Sequence, residues 1–469
     1  MKKRLFCMAL ALFAMSQFAA CGNEETASLG SITTTNSISL KDGGIEISGS
    51  GMSVSGNVVT ISAPGSYTVS GKLSDGQLLV DVAEEAVETE LILDGVSITN
   101  LSGPAIHVET GKDLKLKFKG ENSLTSGTPV MKADGNSSGA ALYAEDDISI
   151  KGEDTAVLNV YGYINNGIAC KNDIDIKGGR INIVASNNGL RGSDSVEIKG
   201  GEISIQAEND GVKSTTADKE GKGFINIEAG KLSISAEGDG IAAETTLSVS
   251  GGTVSVKTSG SPETGSCKGI KANNDLSITG GELNISAEDH AMQSNGNISI
   301  TGGELELLSN LSKGIKVDGR LDISGGAVNI SAQEDAVDSI GDVSITGGLV
   351  YISTMHDGIQ AGEANSGKGS ISITGGDVLI DAHKLSFNPR AELSVTGGTV
   401  LALSGSDKTI PGDGFSQTSW NGVKGHEVSL EGSGVSAKLH SLYGFKGVLV
   451  SNISGPYTVT SGGTSVIVD

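Results

Sequence analysis

The sequence predicts an all-β fold, a right-handed parallel β-helix of about 22 residues per coil, and three observations predict it. The first is a repeat. Gly-Gly pairs recur at 178–179, 200–201, 251–252, 280–281, 302–303, 325–326, 347–348, 375–376 and 397–398, with Ala-Gly at 229–230 as a variant. Counting that variant, the spacings are 22, 29, 22, 29, 22, 23, 22, 28 and 22, so a 22-residue unit recurs and three units carry inserts of six or seven residues. The second is composition: 69 of 469 residues are Gly and only 7 are Pro. That is roughly double the average Gly usage of about 7%, and no G-X-Y period accompanies it, which excludes collagen. Gly in such excess serves tight turns that need positive φ. The third is a period of two inside every unit, the signature of half-buried strands.

The elements of one unit read in order from "DLSITGGELNISAEDHAMQSNG", residues 275–296. Leu276 and Ile278 alternate with Ser277 and Thr279, which makes a first strand; Gly280-Gly281 turns the chain. Leu283, Ile285 and Ala287 alternate with Asn284 and Ser286, which makes a second. A polar corner follows, then a third short run whose equivalents are "GIKA" (269–272), "AMQS" (291–294), "GIKV" (314–317) and "AVDS" (336–339). Three short strands cannot bury an apolar face within one coil, whereas stacked coils can, each strand pairing in parallel with its equivalent above and below. The right hand is expected because parallel crossovers are strongly right-handed. A propeller blade would need about 40 residues and its own antiparallel sheet.

The regular helix is expected over 146–405. Residues 39–145 show the same chemistry with blurred spacing and read as irregular first coils that close the open end. After 405 the repeat fails, and 406–469, which holds the single Trp, reads as a C-terminal β cap. At the other end, Lys2, Lys3 and Arg4 precede an apolar run over 5–18 that is too short to span a bilayer stably. The run ends in "FAAC", which resembles a bacterial lipobox, although Phe18 stands where Leu is usual. Residues 1–20 then form a lipoprotein signal peptide, Cys21 is the lipidated residue, and polar residues 21–38 form a tether. An ordinary secretory signal cut nearby is the alternative. "NEE" after Cys21 looks like an export tag of surface lipoproteins, so an outer-membrane protein exposed at the cell surface is expected.

The formal net charge of −23 argues against nucleic acid as a partner. It also repels acidic polysaccharide unless cations or a local basic patch intervene. Cys170 and Cys267 allow one disulfide but form no disulfide framework and no CxxC metal site.

Several segments resemble a known family. They are "APGSYTVSGKLSDGQLLVDV", "ELILDGVSITNLSGPAIHV", "LKFKGENSLTSG", the "NDGVKS" and "GDGIAA" corners, and the terminal "SQTSW" and "LYGFKGVLVSNISGPYTV". The family is that of bacterial carbohydrate-binding β-helix proteins related to a clostridial cellulose- and polygalacturonate-binding protein, similar in architecture to pectate lyases. The resemblance runs from about residue 35 to 469. It implies binding of cellulose or acidic sugars with bound calcium and without established lyase activity.

Read as columns, the corner before the third strand offers Asn166, Asn188, Asp210, Asp239, Lys268, His290, Lys313, Asp335 and Asp357. One residue after that strand's first large apolar position come Ala169, Arg191, Lys213, Ala242, Lys271, Gln293, Lys316, Asp338 and Gln360. Both columns flank one edge. Arg191, Lys213, Lys271, Lys316 and His290 are the candidate carbohydrate contacts, the cations pairing with uronate carboxylates. Asp210, Asp239, Asp335 and Asp357, with Glu208, Glu237 and Glu334 beside them, are the candidate Ca²⁺ ligands, since Ca²⁺ takes six to eight oxygens. The bland alternative is that these corners solvate the surface and cap turns.

The expected function is therefore a lipid-anchored polysaccharide-binding protein for a polygalacturonate-like polymer, Ca²⁺-assisted and non-catalytic. A calcium-dependent lyase is the alternative, with Asp210 and Lys213, or Asp239 and Lys271, supplying acid-held metal and base. A structural rod or adhesin is the second. Scarce aromatics argue against crystalline cellulose: Trp420 lies in the cap, and Tyr161, Tyr163, Tyr351 and Phe387 are scattered along the coils.

Overall fold

In the computed structural model, residues 36–83, 88–111, 113–129, 137–432, 435–451 and 457–468 are described. The signal-peptide reading, Cys21 and all but the end of the tether lie outside them. The tether expected to reach residue 38 already carries the first strand, Asn36–Leu40.

Alternation along each strand points one apolar row inward, and that row needs neighbours that only adjacent coils supply. The register shows those neighbours directly. Leu276–Ile278 pairs in parallel with Ile298–Ile300, with Leu276 opposite Ile298. Glu282–Ala287 pairs in parallel with Glu304–Ser309, and Met292–Ser294 with Ile315–Val317. Every coil thus contributes one strand to each of three faces, and the third face is a continuous 15-stranded sheet. The fold is a parallel β-helix. Its interior is filled by stacked Ile, Leu and Val, for example Ile278, Ile300, Ile323 and Ile345, each at most 1% exposed.

The Gly-Gly pairs make the bend between the first and second faces. Their second glycines, such as Gly281 and Gly303, hold φ of 89° and 94°. A Cβ on Gly303 would also stand 3.0 Å from the Gly281 carbonyl oxygen of the coil below.

The first coils are irregular for a visible reason. Asn36–Leu40 pairs antiparallel with Glu46–Ser48, and Met52–Ser55 with Val58–Ile61, so hairpins cover the open end while Asn36–Leu40 also starts the parallel stack against Gly65–Leu73. At the far end, Leu393–Ser404 continues the parallel stack and pairs antiparallel with Phe445–Ser451. A four-stranded antiparallel sheet, Glu427–Gly432, Val435–His440, Tyr457–Ser461 and Thr464–Val468, packs beyond it. Leu401, Leu403, Val428 and Tyr457 form a second small core there, with Tyr351 and Trp420 against it. Phe387 is fully buried in the main core, so neither Tyr351 nor Phe387 is an open aromatic. Cys170 and Cys267 are buried free thiols and form no disulfide.

Candidate functional site

The corner between the second and third faces leaves backbone amides without strand partners, and buried amides must find acceptors. The polar corner column supplies them. Asn166 Oδ1 accepts from the Asn188 amide at 3.1 Å, Asn188 Oδ1 from Asp210 at 3.2 Å, and Asp210 Oδ1 from Asp239 at 2.8 Å. Asp239 Oδ1 accepts from Lys268 at 2.8 Å. Farther on, Asp335 Oδ1 accepts from Asp357 at 3.1 Å, and Asp357 Oδ1 from Leu385 at 2.9 Å. Each side chain therefore caps the equivalent amide one coil on.

This geometry places the four aspartates expected to hold Ca²⁺ differently from an open acidic stripe. Asp210 and Asp239 are buried, and one oxygen of each of the four serves the ladder. The second oxygen of Asp210 takes Lys213 Nζ at 2.6 Å, and that of Asp357 takes Asn388 Nδ2 at 2.6 Å. Burial pushes the Asp239 carboxyl upward, with the Asp210 charge adding to it, and burial does the same at Asp335. Asp335 and Asp357 stand apart from Asp210 and Asp239, separated by the rungs of Lys268, His290 and Lys313.

His290 also joins the ladder. Its Nδ1 lies 3.0 Å from Ser312 Oγ and accepts from the Lys313 amide at 3.4 Å. Burial lowers its pKa to about 4, outweighing Asp289, so the ring is neutral at pH 7. The column lysines on either side of it are neutralised, since Lys268 pairs with Asp289 at 2.7 Å and Lys313 pairs with Asp338.

The second column is in the register the repeat implies. Arg191 sits opposite Lys213, Lys213 opposite Ala242, Ala242 opposite Lys271, Lys271 opposite Gln293, and Gln293 opposite Lys316. These are the middle residues of three-residue strands whose outer two positions face the core, so they point outward. Arg191 donates to Thr215 Oγ1 at 3.3 Å, and burial pulls its pKa down. Lys316 stands 4.0 Å from Asp318. Lys271 has no hydrogen-bond or ion-pair partner among the described residues.

Four of the expected residues come together. Asp210, Lys213, Asp239 and Lys271 line one cleft of about 390 Å³, with Glu208 and Glu237 on its rim. Its far wall is the insert around 260–266, from which Ser266 Oγ donates to Asp239 Oδ1 at 2.6 Å. Arg191, His290, Lys316, Asp335 and Asp357 do not line it. The insert was legible as extra length; its folding over this corner was not. A second acidic group was missed altogether. Asp113, Asp146 and Asp147 bring carboxylate oxygens within 4.8 Å of one another, and burial together with neighbouring carboxylates raises Asp147. Asp113 comes from the irregular coils, and Asp146 and Asp147 open the regular helix ahead of Asn166, the first residue of the column read from the sequence.

A family model described as "Carbohydrate-binding domain-containing protein" matches residues 55–310 and 303–441. A carbohydrate-binding domain-containing protein of Acetivibrio thermocellus is 40% identical over 139 residues, 29% of this chain and 48% of the relative, so the match spans about half of that relative's length. Among solved structures, a polysaccharide lyase-like protein from C. thermocellum superposes with a TM-score of 0.44 at 31% identity, covering 57% of this chain and 96% of the other.

Proposed function

The chain belongs to the carbohydrate-binding domain-containing protein family, and on that premise we propose that the Asp239–Lys271 cleft binds an acidic polysaccharide with Ca²⁺ assistance. The observation that carries this reading is Lys271, an outward cation with no partner among the described residues, in one cleft with Glu208 and Glu237, whose carboxylates have none there either. Lys271 pairs with a uronate carboxylate as a point charge. Glu208, Glu237 and the remaining oxygen of Asp239 would hold the Ca²⁺. The donor type suits Ca²⁺, since all are hard oxygens and Glu208 and Glu237 carry no ion pair among the described residues, although their oxygens are not gathered within 4.8 Å of one another as those of Asp113, Asp146 and Asp147 are. Without a cation the cleft's carboxylates repel a polyanion; with one, metal and Lys271 present two positive centres to it. Lys213, held by Asp210, orients the wall rather than the ligand.

No step of bond cleavage is needed for this function. The same cleft would serve a lyase only if Lys271 took a proton from a metal-held uronate. The decisive experiment titrates residues 36–469 with polygalacturonate in Ca²⁺ and in chelator, while absorbance follows unsaturated products. Binding lost with chelator and no product supports the proposal. Product formation replaces it with the lyase, and absence of binding in both conditions supports a structural rod.

We further propose that the chain is anchored by an acyl group on Cys21 at the outer membrane and displayed on the cell surface. Metabolic labelling with a radioactive fatty acid, lost in Cys21→Ser, tests the anchor. Protease treatment of intact cells tests the display.

A further inference from the structure

Next to the charged cleft lies a second cavity of about 310 Å³ on the outer side of the second face, and Glu208 and Glu237 rim both. The outward column here runs Tyr161, Val184, Gln206, Ser235, each opposite the next in register. Beside it, just past the strand ends, stand Tyr163, Ser186, Glu208, Glu237 and Ser259 at equivalent positions of successive coils. The amides of the last four bond to the coil below. At about 4.8 Å per rung this strip is roughly 19 Å long.

We infer that this strip is a sugar subsite in which a pyranose ring stacks on Tyr163, continuous through Glu208 and Glu237 with the charged cleft; the inference rests on the reading that this edge binds polysaccharide. Three observations carry it. First, the Tyr161 and Tyr163 rings are 5.8 Å apart at 23°, so each holds the other's plane and Tyr163 is a preset platform rather than a swinging side chain. Second, neither tyrosine is in the hydrophobic core, and burial nonetheless raises the Tyr163 hydroxyl, which is the environment of an amphipathic ring on a cavity wall. The fold does not require it, since the same outward positions on other coils hold Ser, Gln and Glu. Third, Tyr163 and Val184 line the cavity together with Ser186, Gln206, Glu208 and Glu237. An aromatic face among convergent polar groups suits a ring that presents C–H on its face and hydroxyls at its edge. The ligand class is a pyranose unit without need of charge. A polymer that carries uronates would lay one unit here and the next units against Lys271.

The test uses residues 36–469 with two probes, a neutral β-linked hexose oligosaccharide and an oligogalacturonate, measured by calorimetry in Ca²⁺. Tyr163→Ala weakens both probes by about fivefold to tenfold, whereas Tyr163→Phe keeps wild-type affinity because stacking, not the hydroxyl, binds. Gln206→Trp, an outward substitution that fills the cavity, abolishes the neutral probe and checks the result if Tyr163→Ala melts early. Lys271→Met weakens only the oligogalacturonate. Wild-type affinity in both Tyr163→Ala and Gln206→Trp overturns the subsite, while loss in Lys271→Met then leaves the charged-cleft reading standing. Wild-type affinity for the oligogalacturonate in Lys271→Met overturns the charged cleft and leaves the subsite to its own result.

Discussion

The Oδ1 atom of Asp210 accepts the backbone amide of Asp239, one coil farther along the helix, at 2.8 Å. The bond joins two functions in one residue. Its first oxygen closes the backbone of the corner, and its second holds Lys213 against the cleft wall. A repeat protein reuses one solution at every rung, and here the solution is a short side-chain oxygen turned onto the next coil's amide, supplied by Asn166 and Asn188 before Asp210 and Asp239.

From that equivalence comes the first prediction. Asp210→Asn keeps an acceptor for the Asp239 amide, as Asn188 does for Asp210, and changes unfolding free energy by less than about 1 kcal/mol beyond the lost pairing to Lys213. Asp210→Ala leaves that amide buried and unbonded, which costs about 1–3 kcal/mol. Denaturant melts of the two variants decide the matter. Equal losses in both would show that the ladder bond contributes nothing.

His290 fills the same position with a ring nitrogen, and its stability effect has a definite sign in pH. Its folded pKa, about 4, lies below the unfolded value of about 6.5. Between those values the unfolded chain binds a proton that the folded chain does not. The stabilisation from this residue is therefore complete above about pH 6.5 and declines as pH falls toward 4, by up to about 3 kcal/mol. His290→Asn retains a ladder acceptor without the titration. Melting temperatures from pH 7 to pH 4.5 should fall more steeply in wild type than in the variant, and parallel curves refute the assignment.

How far the sequence carried can be judged from single residues. The coil was legible because Leu276 and Ile278 repeat their period at Ile298 and Ile300 and the Gly-Gly bends keep strict register, so the pairing of Lys271 with Gln293 followed from counting alone. Which way a corner side chain turns did not follow from counting. Asp239 and Lys268 are equally polar in the alphabet, yet the first is buried on a backbone amide and the second reaches Asp289. That choice depends on the unpaired amides at the bend, which a pattern of polar letters does not display. Tyr163 was hidden for a related reason: its stacking on Tyr161 and its place beside Glu208 depend on the outer surface, where no apolar period constrains the sequence.

The Gly-Gly bend gives a prediction free of any ligand. Gly303 sits at φ 94° with the coil below only 3.0 Å from where a Cβ would lie. Gly303→Ala therefore incurs the left-handed penalty of about 1–2 kcal/mol plus the cost of pushing two coils apart. Circular dichroism melts report the loss, and an unchanged midpoint would mean that the bend relaxes without cost.

The two cleft lysines separate binding from stability. Lys213 Nζ lies 2.6 Å from an Asp210 oxygen on a side chain only 6% exposed, so Lys213→Met strands a nearly buried carboxylate, and removing one partner of a buried pair is strongly destabilising. Lys271 has no such partner among the described residues, and its removal strands nothing. Lys271→Met should therefore melt as wild type does yet lose most of its affinity for oligogalacturonate. Lys213→Met should melt earlier, with any loss of affinity tracking the unfolded fraction. The salt response should divide the same way. A uronate contact at Lys271 is partly exposed and weakens as ionic strength rises from 0.01 to 1 M and the screening length falls from about 30 to about 3 Å. The Lys271→Met protein should lose that part of the salt dependence. If Lys271→Met instead melts several degrees early with affinity intact, Lys271 supports the fold and the ligand is held elsewhere.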